Sequence, residues 1–130
     1  MLRAAYYDAE KELLVDGHRE DYEQFRAAVH QALASRSEIT LPVHSTGDTP
    51  VSHFVVRVGS PPNRVGYDGG RVVFWVSPSL QQQFLSHIEF PPDAELPHPS
   101  VRYHHHYDAL TGAGTYVAPD SLPVIFAVEP

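Results

Sequence analysis

The chain contains no cysteine. That absence removes a disulfide framework, a thiolate nucleophile and any zinc site built on sulfur. It agrees with a reducing compartment. Long apolar runs are missing too. Leu13-Leu14-Val15 is too short for a secretory core, and nothing approaches the roughly 20 apolar residues of a membrane span. The expectation is a cytoplasmic protein with no membrane segment. Positive charge is scarce: nine Lys and Arg stand against sixteen Asp and Glu, a formal net charge of −7. An acidic surface disfavours nucleic acid, where phosphate contacts dominate affinity. It favours a basic partner, which it steers during encounter, and it also serves solubility.

Complete catalytic signatures are absent as well. No Gly-x-Ser-x-Gly occurs, and Ser, His and Asp are scattered without triad spacing. Asp120 and Ser121 read as the end of a turn before the final strand. Gly66-Tyr67-Asp68-Gly69-Gly70 lacks the Gly-Lys-Ser/Thr ending of a phosphate loop and precedes a strand, so a hairpin turn is expected there. No cofactor is expected.

What is present is enough for one folded domain over residues 1–130. A hydrophobic fraction of 42% with 11% aromatic residues separates the chain from disordered sequences and supplies a core. Residues 2–9 and 11–15 read as two short strands meeting near Asp8-Ala9-Glu10. Asp16-Gly17 breaks the pattern, and His18 to Ser35 is the best helix. Its Tyr22, Phe25, Val29, Ala32 and Leu33 fall three and four apart on one apolar stripe. Glu20, Asp21 and Glu23 complement its dipole, with Gly17 and Glu20 as a weak capping arrangement. Further strands are expected over Ser37 to Val43, Val51 to Val58, Arg71 to Val76, Val101 to Asp108 and Leu122 to Val128. A polar turn separates the first two, and Gly59 to Gly70, with Pro61 and Pro62, reads as a loop. Arg71 to Val76 is the most apolar strand, with Trp75 in the core. Ser77, with Pro78 behind it, opens a short second helix to Ile88. Phe90 to Pro99 is a proline-rich loop and Ala109 to Thr115 a turn. His18, His30 and His87 fall at solvated helix positions. The fold class is therefore α+β, with a mostly antiparallel sheet of six to seven strands and one long and one short helix packed on it.

The most distinctive stretch is Tyr103-His104-His105-His106-Tyr107-Asp108, which holds three of the nine histidines in a row. On a strand, His104 and His106 share one face, while Tyr103, His105 and Tyr107 share the other. Such a face can form a polar recognition surface. A His-x-His pair also chelates metal, and a small metal-dependent hydrolase built on His104 and His106 is the alternative. It requires a further ligand. Asp108 shares their face but stands too far along the strand, which leaves His98, His53 or His44. A small-molecule binding domain with a pocket lined by His105 and Tyr107 is the other alternative.

Two segments carry a family likeness. Strands at the start lead through Asp16-Gly17 into a helix beginning Arg19-Glu20. The Tyr103 to Asp108 strand is followed by Asp120-Ser121-Leu122-Pro123-Val124-Ile125. Together they resemble small bacterial immunity proteins of polymorphic-toxin systems, the group known as immunity family thirty-two, in which a His-rich strand precedes a Ser-Leu-Pro-aliphatic strand. The likeness covers most of the chain, although the Ser77 to Ile88 segment and the proline loops have no counterpart. It implies a non-enzyme that binds and neutralises a toxin made by its own cell. The clustering of histidines between tyrosines places Tyr103, His104, His105, His106, Tyr107 and Asp108 as the expected partner-binding residues, and the acidic charge of the chain suits a basic toxin such as a nuclease.

Overall fold

The computed structural model describes residues 1–92, 103–110 and 116–129. His98, part of the proline loop, the first two residues of the expected histidine strand and the turn at 111–115 lie outside the described residues. Those described form nine strands, two α-helices and one 3-10 turn. The strands are β1 (Arg3–Tyr7), β2 (Glu12–Gly17), β3 (Ile39–Pro42), β4 (His44–Ser45), β5 (His53–Val58), β6 (Arg64–Asp68), β7 (Arg71–Val76), β8 (Tyr103–Tyr107) and β9 (Val124–Val128). The helices are α1 (Arg19–Ser35) and α2 (Gln81–Ser86), the latter entered through a 3-10 turn at Pro78–Leu80. The class is α+β with one long and one short helix, as the sequence suggests. No helix among the described residues is long and apolar enough to cross a membrane.

The strands do not form one sheet. They split into a five-stranded sheet, ordered β4-β1-β2-β9-β8, and a four-stranded sheet, ordered β3-β5-β7-β6. Both are mixed, because β1 pairs parallel with β4, β2 with β9 and β5 with β7. The β5–β7 pairing explains a strand that sequence reading leaves out. From β5 the chain crosses to the far side of β7, lays down β6, and returns through Gly69 (φ 58°) and Gly70 (φ 89°) to insert β7 between them. The most apolar strand thereby gains a partner on each edge. β6 itself has the poor strand composition Arg-Val-Gly-Tyr-Asp and sits among prolines and glycines, so no alternation announces it. The expected hairpin turn at Gly69-Gly70 is present.

The α1 stripe is buried as its spacing requires, with Ala28 added to the expected positions. Its start lies one residue later than the Gly17 and Glu20 arrangement. His18 is the N-cap, and its backbone N–H donates to the Asp21 carboxylate at 3.0 Å. Phe25 is fully buried and lies between the sheets. Its ring centre is 5.2 Å from Phe74 of β7, 5.7 Å from Phe54 of β5, 6.0 Å from Phe84 of α2 and 6.3 Å from Phe126 of β9. One core cluster therefore includes residues of both sheets and both helices. Truncating Phe25 to Ala removes the ring common to all four contacts. The expected loss is about 3–5 kcal/mol of unfolding free energy in urea. A loss below about 1 kcal/mol would show that α1 is peripheral to the core.

Candidate functional site

β8 is an edge strand of the five-stranded sheet and pairs antiparallel with β9. The pairing sets Tyr103 opposite Val128, His105 opposite Phe126 and Tyr107 opposite Val124, all three β9 residues being core. His104 faces Ala127 and His106 faces Ile125 on the other side. The expected alternation is therefore present, but the six residues of the histidine segment do not share one surface.

Tyr107 is fully buried and leaves the expected contact set. Its ring meets Phe84 edge-on at 5.2 Å, and burial pushes its hydroxyl pKa up to about 12. The hydroxyl accepts a hydrogen bond from the Asn63 side-chain amide at 3.1 Å. His105 is half-buried. It lies flat on Phe90 (4.8 Å, 8°), and its Nδ1 donates to the His87 carbonyl at 3.0 Å. These two side chains pack against α2 and its exit. Tyr103 stays exposed, edge-on to Phe90. Asp108 lies past the strand end, where its carboxylate accepts the Leu110 N–H at 2.8 Å and shapes the turn.

His104 and His106 point outward, with ring centres 5.1 Å apart. Of the potential third ligands, His98 lies outside the described residues, and the other two do not join them. His44 stands on β4, at the opposite edge of the same sheet, and His53 is on β5 of the other sheet. Among the described residues no group of three His, Asp or Glu side chains is placed to hold a metal ion.

The outward face of the five-stranded sheet continues from these histidines. Ala5, Leu14, Ile125 and His106 stand in register across four strands. The neighbouring row is His44, Arg3, Asp16, Ala127 and His104. Leu14 and Ile125 are half-exposed, and with Tyr7, Glu12 and Leu13 they line a depression of about 150 Å³. Arg3 bridges Asp16 at 2.6 Å and Glu129 at 2.5 Å, and these two carboxylates raise its pKa above the ordinary arginine value. Glu12, Asp16 and Glu129 outnumber Arg3, so the face is acidic with an aliphatic centre.

Three features of the surroundings escape sequence reading. Asn63 is buried and joins several segments. Besides meeting Tyr107, its side-chain oxygen accepts the Ser77 N–H at 2.7 Å, while its backbone bonds Tyr116 and Ala118. An asparagine after two prolines reads as a turn residue, and nothing local marks its partners. His87 is half-buried against Tyr107 at 4.9 Å, not on a solvated helix face, and burial lowers its pKa, with His105 adding to the effect. Trp75 is half-exposed on the outer face of the four-stranded sheet, not in the core. Arg64 and Arg57 lie 5.0 Å and 5.8 Å from its ring and pair with Asp120 and Glu38. Its indole leans over Gly66, where a Cβ would stand 3.1 Å from the ring. In a run of five apolar residues, alternation alone does not reveal which one faces outward.

Ser121 and Leu122 serve packing. The Ser121 hydroxyl accepts the Val65 N–H at 2.8 Å, and the Leu122 N–H donates to the Val65 carbonyl at 2.8 Å. No family model, curated protein or solved structure matches the chain.

Two outcomes follow from the buried groups. Asn63→Ala strands the Ser77 N–H and the Tyr107 hydroxyl, and is expected to cost about 2–4 kcal/mol; Tyr107→Phe removes one contact and is expected to cost about 1–2 kcal/mol. Urea denaturation of both variants and of the pair tests this, and additive losses would refute a shared network. The second concerns pH. The folded pKa of His87 lies below the ordinary value, so the unfolded chain takes up its proton first. Stability is full above about pH 6.5 and falls as pH drops from there towards the lower folded value. Thermal unfolding at pH 7.5 and 5.5 is expected to show a smaller drop for His87→Gln than for the parent; equal drops would assign the effect elsewhere.

Proposed function

We propose that this chain is an immunity-type binding protein that docks a basic toxin on the outer face of its five-stranded sheet. The observation that carries the reading is the row Leu14, Ile125 and His106, with His104 beside it, on a face opposite to both helices. Half-exposed aliphatics ringed by carboxylates match the usual division of an interface into an apolar centre and a polar rim. Tyr7, about one-third exposed at 36%, adds an amphipathic aromatic at the margin. The net charge of −7 suits a cationic partner and speeds its approach, an effect that salt weakens. The resemblance to immunity family thirty-two supports the same class, with His104 and His106 retained as contact residues and Tyr107 reassigned to the core.

The test is co-expression with a toxic domain encoded beside this gene, scored by cell growth, followed by calorimetry of the purified pair. The chain is expected to restore growth. Leu14→Lys, or the double change His104→Ala with His106→Ala, is expected to weaken binding by about tenfold to a hundredfold at unchanged melting temperature, about 1.4–2.8 kcal/mol. Absence of growth protection would end the immunity reading. Protection with unaltered affinity in both variants would move the interface to another face, the Trp75 surface first.

A further inference from the structure

We propose that His104 and His106 form a two-histidine chelate for a divalent transition cation of the Zn²⁺, Ni²⁺ or Cu²⁺ type. The separation of the two rings, their common face on β8 and their exposure support this. A zinc ion about 2.05 Å from an imidazole nitrogen lies about 3.2 Å from the ring centre, so two rings meeting it near the tetrahedral angle stand about 5.2 Å apart. The two ring centres are 5.1 Å apart. The spacing arises because alternate residues of β8 project from one face, and the strand is held in register by β9. The residue opposite His104 is Ala127, and the one opposite His106 is Ile125.

The donor set selects the metal. Two imidazoles suit Zn²⁺, Ni²⁺ and Cu²⁺, while the oxygen-seeking Mg²⁺ and Ca²⁺ gain little from them. Each imidazole binds through one nitrogen and keeps the other for a hydrogen bond, so other interactions of these rings are compatible with ligation. Two protein ligands leave coordination positions for water or for a donor from another molecule. The ion would sit on the sheet surface away from the core, so folding does not depend on it. His105, between the two, is turned inward onto Phe90 and supplies no ligand. The chelate is independent of the docking reading, since its test uses the chain alone.

The experiment is titration of Zn²⁺ into chelator-stripped protein by calorimetry, with Cu²⁺ and Mg²⁺ as separate runs. One ion per chain is expected for Zn²⁺, tighter binding for Cu²⁺ and none for Mg²⁺. His104→Ala and His106→Ala are each expected to weaken Zn²⁺ binding by about tenfold or more, because each leaves a single imidazole. His105→Gln, His44→Ala and His53→Ala are expected to bind as the parent does. Melting temperatures of the His104 and His106 variants should match the parent, since both side chains are exposed. Parent-like affinity in His104→Ala or His106→Ala, equal loss in His105→Gln, or no heat of binding at all would overturn the proposal.

Discussion

The rings of Phe25, Phe54, Phe74, Phe84 and Phe126 fill the space between two sheets that share no strand ladder. Everything else in the molecule depends on that contact. Each sheet alone would expose one apolar face, and α1 alone would expose its stripe. Joining them through aromatic side chains hides all three at once, and hydrophobic burial is the dominant favourable term in folding. Tyr22 ties the helix to the five-stranded sheet from within, its hydroxyl lying 2.7 Å from the Ala127 carbonyl and 3.1 Å from that of Val15. A polar group so placed fixes the helix azimuth, because leaving it unpaired in the core is costly.

The same constraint divides the histidine strand. β9 faces the aromatic cluster with Val124, Phe126 and Val128, so its edge partner β8 must turn Tyr107 and His105 the same way. Tyr107 then needs a polar partner at depth, which Asn63 provides from the residue just before β6. Asn63 also receives Ser77 at the entrance to the 3-10 turn, so the strand edge, the second sheet and α2 are coupled through one amide side chain. His104 and His106 are outward as a consequence. Their orientation is set by what the core demands of the residues between and beside them.

The outward faces of the two sheets differ in character. The five-stranded sheet shows an aliphatic row bordered by carboxylates and ending in His106. The four-stranded sheet shows Trp75 flanked by two arginines, each paired with an acid. Trp and Arg are favoured at interfaces, and only the second face combines them at its centre. The first carries the acidic balance and the histidine pair. The ion pairs of the second are largely solvated and contribute little to stability.

Much of the local structure is legible in the chain. The α1 stripe follows from three- and four-residue spacing, the Gly69-Gly70 turn from residues that tolerate positive φ, and the alternation of Tyr103 to Tyr107 from the period of two. These signals are local, and physics acting over a few residues decides them. The α+β class follows from their order. What the chain does not show is which strands meet. The parallel pairs β2–β9 and β5–β7, the division into two sheets, the passage of β6 across β7 and the outward turn of Trp75 depend on residues far apart in sequence. The role of Asn63 is of the same kind: its partners lie 14 and 44 positions away. Pairing is selected by which arrangement buries the most apolar surface while satisfying every buried polar group, and only the assembled tertiary structure makes that comparison.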